Sequence, residues 1–455
     1  DVENFINIIE KKIPVISGNA IAIIEHNNIY HVVIYLLCSK LNSTFVALDP
    51  NSPADVLDKQ LKISEAKLLF CNNVTRRKIK NFSKTKKNYD FFDLEKKKYL
   101  PSLKKNKKIK KHNNIFLLSF TSGSTGDPKP IMLTEKTKVL RAKSNISLYS
   151  LNKIKKTLIS TPLHHTLAIR ILTISIILGT ELHIMNDYYT DKFLKTIFRS
   201  KIDFTIFIST QINQIVKKIS NIKYLKSLKS IISSSGNLSD KIKKKLCNLF
   251  KGKIFECYGL SEAAILTNLD LKKNKKQINS VGKPIKGVKI KILKNTKNKK
   301  IGEILFRSKF IFSGYFKNPA YTKKCFHKKY FKTGDLGYIK NNYLFYVGRK
   351  KNMAKINGIS VYPEDIENKL LKSKIVKDCA VTFFTEENEE KLCLAYKSKK
   401  INIKLEEKIK NFCFKRLSPF QIPRYFIRFP KIPRNNIGKI NRLALNNLAK
   451  KAINV

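Results

Sequence analysis

The stretch Ser119-Phe120-Thr121-Ser122-Gly123-Ser124-Thr125-Gly126-Asp127-Pro128-Lys129 decides how this chain is read. It follows an apolar strand candidate at 115–120. Small hydroxyl residues and glycines in succession let backbone N–H groups and Ser/Thr hydroxyls converge on phosphate oxygens, and Lys129 adds charge. It is not a Walker A loop, because no Gly-Lys-Ser/Thr follows at the required spacing. The same composition also suits a mobile Ser/Gly linker, so context has to decide.

Outward from that loop, the first half alternates between α and β. Apolar runs at 20–24 and 44–48 read as buried strands, with a helix at 29–41 between them. Further strands are expected at 67–71, 115–120, 157–161, 181–185, 204–208 and 230–233. Helical stretches separate several of these, the pattern of a doubly wound sheet. Residues 104–111 read as a Lys/Asn-rich solvated loop. From about residue 280 short strands broken by Gly and Asn suggest a β-rich subdomain up to Gly348. Residues 349–455 return to mixed helix and strand, with Pro419, Pro423, Pro430 and Pro433 near the end. The expected fold is α/β: a large N-terminal domain of doubly wound sheets plus the β-rich subdomain (1–348), and a small α+β C-terminal domain (349–455).

At 455 residues the chain is too long for one ordinary core. Its 42% hydrophobic content excludes wholesale disorder. Lys plus Arg number 92 against 33 Asp plus Glu, a net charge of +59 that ordinarily signals a nucleic-acid or membrane-surface partner. The lysines are spread among many Ile and Asn, all encoded by A/T-rich codons, and Trp is absent. The charge therefore reads as genomic drift filling solvated positions. No segment joins a basic stripe to a nucleic-acid module, so no nucleic-acid partner is expected. The eight Cys form no C-x-x-C pair, which argues against a zinc site or disulfide framework and for a reducing, cytoplasmic setting. Asp1-Val2-Glu3-Asn4 lacks the basic stretch of a signal peptide and an initiator Met, a start compatible with a longer parent chain. The longest apolar run, 171–179, falls short of the ~20 residues of a spanning helix.

Further motifs supply the context. In chain order they are Thr161-Pro162-Leu163-His164-His165, Ser234-Ser235-Gly236, Tyr258-Gly259-Leu260-Ser261-Glu262, Thr333-Gly334-Asp335, Gly348-Arg349-Lys350-Lys351 and Asn436-Ile437-Gly438-Lys439-Ile440. With them the chain, from about residue 30 onward, resembles the adenylate-forming superfamily: acyl- and aryl-CoA synthetases, peptide-synthetase adenylation domains and firefly luciferase. The loop matches T-S-G-S-T-G-x-P-K, and Tyr258 to Glu262 is similar to Y-G-x-T-E with Ser261 in the Thr position.

That resemblance implies roles for ATP and Mg²⁺. Thr121, Ser122, Gly123, Ser124, Thr125, Gly126 and Lys129 would hold the β- and γ-phosphates. Ser235, Gly236, Tyr258 and Ser261 would meet the nucleotide, Tyr258 giving adenine an aromatic face. Asp335 would accept both ribose hydroxyls, with Arg349 a donor at the same sugar. Glu262 and Thr125 would be hard oxygen ligands for Mg²⁺. Lys439 would bridge the acyl carboxylate and α-phosphate, and His165 would stand beside that carboxylate, leaving His164 structural. No metal is expected at the paired His. Lys351 would be a hinge for the C-terminal domain, and a loop carrying Lys355 and Gly358 would flank the pantetheine arm.

Amino-acid-activating relatives carry an Asp for the substrate ammonium, yet none stands in 161–170. Ser360-Val361-Tyr362-Pro363-Glu364-Asp365-Ile366-Glu367 resembles the CoA-ligase version of its motif. Both favour a simple small-molecule carboxylic acid. The expected reaction is formation of an acyl-adenylate and pyrophosphate, then displacement of AMP by the thiol of CoA or of an acyl carrier protein's phosphopantetheine. Two alternatives stand beside it: an eroded, non-catalytic adenylate-binding protein, and a basic nucleic-acid binder.

Overall fold

The computed structural model describes residues 6–7, 18–82, 90–93, 98–100, 115–121, 129–219, 222–236, 238–295, 298–356, 359–386, 389–435 and 438–453. The expected solvated loop 104–111 and the loop residues Ser122 to Pro128 lie outside them.

An eight-stranded sheet runs, edge to edge, through Gly314–Tyr315, Lys129–Leu133, Leu117–Thr121, Thr44–Leu48, Ala20–Ile24, Ala66–Cys71, Asp90–Asp93 and Lys98–Leu100. Ala20–Ile24 pairs in parallel with Thr44–Leu48 and with Ala66–Cys71. Every residue of Ala20–Ile24 and Thr44–Leu48 is buried, which is why both read as unbroken apolar runs rather than alternating ones. The crossover between them is the helix Ile29–Lys40, opened by Asn28, whose side chain accepts from the Tyr30 N–H at 3.1 Å.

A second, five-stranded sheet orders Ile206–Ile208, Ser230–Ser234, Lys253–Leu260, Ala264–Asp270 and Lys283–Pro284. Its first three strands are parallel and the rest antiparallel. The register shifts between Tyr258 and Gly259, and a Cβ at Gly259 would fall 1.7 Å from the Ala264 carbonyl oxygen. Only glycine fits there, and the bulge turns the chain so that Glu262 follows in a tight connection.

The third sheet holds Val288–Asn295, Asn298–Ser308, Tyr330–Lys340, Phe326–His327 and Tyr343–Arg349, all antiparallel. It is the β-rich region expected from residue 280, with one difference. Gly314–Tyr315 leaves it to pair with Lys129–Leu133 in the first sheet, so the region is tied to the rest of the chain rather than standing apart.

Beyond residue 349 come a hairpin of Ala354–Ile356 with Ile359–Val361, the helix Pro363–Ser373, a three-stranded sheet and the helices Ile403–Arg416 and Arg442–Ile453. The core clusters here, such as Ala354, Val361, Ile366, Leu394 and Ile409, share no buried residue with those up to Leu344. Several contacts join the two regions: the helix Pro363–Ser373 lies against Tyr343–Arg349, where a Cβ on Gly348 would fall 2.8 Å from Glu364 Oε2. A Cβ on Gly438 (φ +75°) would sit 2.2 Å from Thr210 Cγ2, and Lys372 pairs with Asp240 at 3.2 Å. Among the described residues no helix is long and apolar enough to cross a membrane.

Candidate active site

The strand Lys253–Leu260 ends by presenting Tyr258, whose hydroxyl donates to Asp335 Oδ2 at 2.8 Å. Asp335 lies on Tyr330–Lys340 directly across from Arg349, and Arg349 Nε stands 2.8 Å from Asp335 Oδ1. The Thr333 hydroxyl accepts from the Asp335 N–H (3.0 Å) and donates to the Ile304 carbonyl (2.7 Å), which sets the Thr-Gly-Asp turn. Asp335 is 3% exposed, so burial pushes its carboxyl upward while Arg349 and Tyr258 pull it back. Its charge holds the Arg349 guanidinium above its ordinary value. Asp335 Oδ1 makes no aligned hydrogen bond among the described residues, although Arg349 neutralises it. A buried carboxylate oxygen with spare acceptor capacity is what paired sugar hydroxyls require.

Glu262 faces the same cleft. Tyr315 donates to its Oε1 at 2.9 Å, and Tyr315 leaves the third sheet to reach it. Tyr321 packs on Tyr315, ring centroids 5.1 Å apart, and Lys129 Nζ donates to the Tyr321 hydroxyl at 2.8 Å. Lys129 is thus two tyrosines from Glu262.

Lys439 comes from the C-terminal segment. A closed turn carries it: the Lys439 N–H donates to Asn435 Oδ1 (2.9 Å), Asn435 N–H to the Lys439 carbonyl (2.8 Å), and Arg434 to the Gly438 carbonyl (2.9 Å). Lys439 is exposed as a whole, yet desolvation by the surrounding protein and the charge of Arg349 lower the pKa of its ammonium, opposed by Asp335 and Glu262. The same ammonium acts on His165, at the N-cap of the helix Thr166–Leu178. Burial, then His164 and Lys439, pull His165 down to about 3, so it is a neutral imidazole at physiological pH. Its Nε2 is buried without a partner among the described residues. His164 instead packs its ring on His165 (4.2 Å) and lies 3.9 Å from Asp49. Among the described residues no three His, Cys, Asp or Glu side chains gather as a metal site.

Other expected residues are placed less fully. Ser235 adopts φ +68°, and a Cβ on Gly236 would meet Ser209 Oγ at 2.2 Å, so the segment 234–236 runs tightly against a neighbouring helix. The Ser261 hydroxyl is 3.3 Å from that of Thr166. Lys351 sits in a short turn, Lys350–Asn352, where burial and Arg349 lower its pKa. Ser122, Gly123, Ser124, Thr125, Gly126 and Gly358 lie outside the described residues, as do the side chains of Thr121 and Lys355.

One organising residue escapes the sequence entirely. Arg141, buried on the helix Glu135–Tyr149, donates through Nε to the Phe310 carbonyl (2.8 Å), through Nη1 to Ser261 (3.0 Å) and through Nη2 to Glu262 (2.8 Å). It clamps the backbone that aims Glu262. Burial and Arg170 push it down to about 9.

Comparison with known proteins places the chain among acid-activating ligases by sequence and by fold. A 2-succinylbenzoate–CoA ligase of Oceanobacillus iheyensis is 26% identical over 440 residues, covering 95% of this chain and 89% of the relative. The 4-coumarate–CoA ligase-like 2 of Arabidopsis thaliana is 26% identical, covering 95% and 82%. Among solved structures, the o-succinylbenzoate CoA synthetase of Bacillus subtilis in complex with its acyl-adenylate superposes with a TM-score of 0.84 at 20% identity, over 98% of this chain and 91% of that one. MatB of Rhodopseudomonas palustris, bound to ATP, gives 0.85 at 18%, over 99% and 92%. The AMP-binding enzyme description matches residues 2–316, more than half of the sequence, and the chain belongs to that family.

Proposed function

We propose that the protein activates a carboxylic acid with ATP as an acyl-adenylate, then passes the acyl group to a thiol. One observation supports this: Tyr258, Asp335, Arg349, Glu262, His165 and Lys439, far apart in sequence, are linked by a hydrogen bond, an ion pair and mutual electrostatic effects. Attack of a carboxylate oxygen on the α-phosphorus, with loss of pyrophosphate, needs alignment and charge neutralisation more than a strong base. Asp335 fits the ribose, Arg349 being oriented by it. The neutral His165 brings no extra charge to the acid's carboxylate. Lys439 balances the negative charge gathering between carboxylate and phosphate. Glu262 has one oxygen engaged by Tyr315 and, among the described residues, one left over, a donor set suited to Mg²⁺, which takes one or two carboxylates plus phosphate oxygens. When bound, Mg²⁺ would neutralise phosphate charge there, and Thr125 would be its hydroxyl partner.

In the second step the thiol sulfur attacks the acyl carbonyl carbon and AMP leaves. We assign the thiol to CoA, which the names of the 26%-identical relatives support. The phosphopantetheine of a carrier protein is the other acceptor to assay. We further infer a division at 348/349, supported by the separate core clusters, with Lys351 at the hinge and Lys355 and Gly358 on the thiol side.

ATP–pyrophosphate exchange with a panel of carboxylic acids tests the proposal; exchange supported by no acid overturns it. Within that panel, fatty or aryl acids are expected to exceed every α-amino acid. The segment 161–170 offers no carboxylate for an ammonium, and burying one unpaired is costly. Strong exchange with one amino acid alone would contradict this. Asp335→Ala is expected to weaken ATP and AMP binding by about 1.5–3 kcal/mol for each ribose bond lost. Calorimetry showing unchanged affinity in the folded variant would remove Asp335 from the ribose.

A further inference from the structure

Asn27 stands in the connection 25–28, between the strand Ala20–Ile24 and the helix Ile29–Lys40. Its carboxamide reaches across to a different sheet, the parallel pair Lys156–Ile159 and Glu181–Ile184. Nδ2 donates to the Thr161 carbonyl at 2.9 Å and to the Met185 carbonyl at 3.0 Å, and Oδ1 accepts from the Leu163 N–H at 2.7 Å. Thr161 and Met185 lie just past the ends of that pair, so one amide joins the ends of three strands from two sheets. Two carbonyls and one N–H as neighbours leave a single orientation for the amide, since only its NH2 can serve the carbonyls.

The segment held in this way is 161–165, which ends at His165. The His165 N–H closes its turn on the Pro162 carbonyl at 3.0 Å, and Thr161 and Leu163 are buried. The backbone is therefore committed at 161, 163 and 165. The side chains are not: Thr161 Oγ1 and His165 Nε2 are buried and make no hydrogen bond among the described residues. A fixed backbone that carries polar atoms with unspent capacity is suited to receive a ligand group.

We propose that Asn27 is a positioning residue for the acid: it sets where the 161–165 turn, and with it His165, stands relative to the reacting carboxylate. This rests on the acid-activation reading and deepens it. Asn27 acts through the Thr161 and Leu163 backbone, not on a reacting atom. A misplacement of about 1 Å is enough to cost such a reaction roughly 10²-fold. Tyr258, Asp335 and Arg349 stand on other strands, so the loss of Asn27 falls on the acid and spares the nucleotide.

Initial-rate pyrophosphate exchange tests it, the probe being whichever acid of a panel of benzoate and straight-chain fatty acids supports the most exchange. Asn27→Ala is expected to lower kcat/KM for that acid by about 10–10²-fold. The KM for ATP and the affinity for AMP should not change. Asn27→Asp keeps the shape and the acceptor but sets a carboxylate against two carbonyls, and is expected to do no better than alanine. Tyr35→Phe is the control. It removes the buried contact with Thr173 Oγ1 (3.0 Å), on the helix that follows His165, so it lowers stability without touching the 161–165 backbone. Its kcat/KM for the acid should be normal. An unchanged kcat/KM for the acid in Asn27→Ala or Asn27→Asp overturns the positioning role, and so does an equal loss in Tyr35→Phe or an equal rise in the KM for ATP. Exchange by the unmodified protein with no acid overturns the acid-activation reading itself. If the Asn27 variants do not fold, amide hydrogen exchange on the unmodified protein decides. The Leu163 N–H is expected to be protected before any ligand is added; free exchange until ATP and the acid arrive would show that the ligand, not Asn27, sets the turn.

Discussion

Lys439→Ala is expected to lower acyl-adenylate formation by about 10²-fold or more, the scale of losing one aligned transition-state donor. Thiol capture from supplied acyl-adenylate should stay near its normal rate. The reason is spatial: the backbone around Gly438 brings this ammonium within electrostatic reach of Arg349, Asp335 and Glu262, whose charges act on its pKa, and it in turn acts on His165. Alanine leaves the turn intact, because its hydrogen bonds use the Lys439 backbone and not the side chain. Gly358→Leu should do the reverse under the proposed two-step scheme, sparing exchange and blocking thiol capture. Separate assays of the two half-reactions decide; an equal loss in both, with folding intact, would falsify the division of labour.

Arg141→Met is expected to cost about 3–5 kcal/mol of stability and to depress exchange by more than tenfold, about the factor carried by 1.4 kcal/mol of lost transition-state alignment. Methionine fills much of the volume but leaves the Phe310 and Ser261 carbonyls without the Arg141 donor and the Glu262 carbonyl with the Phe312 N–H alone. Arg141→Lys should recover little, since one ammonium does not reproduce the planar fork that serves three acceptors. Urea denaturation and exchange measured on the same preparation check both effects. A midpoint and rate close to the unmodified protein would show that the Glu262 backbone holds its course without the clamp.

The two variants mark where the sequence speaks and where it is silent. Lys439 was legible because Gly438-Lys439 recurs in a recognisable order with Tyr258, Asp335 and Arg349. The strands Ala20–Ile24 and Thr44–Leu48 were legible because burial on both faces leaves an uninterrupted apolar run. Arg141 was not. Its helix buries Lys138, Arg141 and Asn145 alongside Ala142, Ile146 and Tyr149, so the inward face carries no clean apolar period. In a chain with 92 Lys and Arg, two buried ones on a polar-looking helix are indistinguishable from solvated ones. Gly314–Tyr315 was equally hidden: a strand of two residues has no pattern, yet it delivers Tyr315 to Glu262.

Gly438 and Thr210 meet where a methyl group would not fit. Such a contact acts as a stop, not as an adhesive. Repulsion at short range rises over tenths of an ångström, so it defines the resting depth of the Lys439 turn sharply. A residue with no side chain buries almost no apolar surface, so it holds the turn there only weakly. The exposed Lys372–Asp240 pair adds at most about 1 kcal/mol. Accuracy of arrival and ease of departure are thus separated at this contact: the wall gives the first, and the little apolar surface a glycine buries gives the second. A segment that must reach one spot for one step and vacate it for the next is served by both.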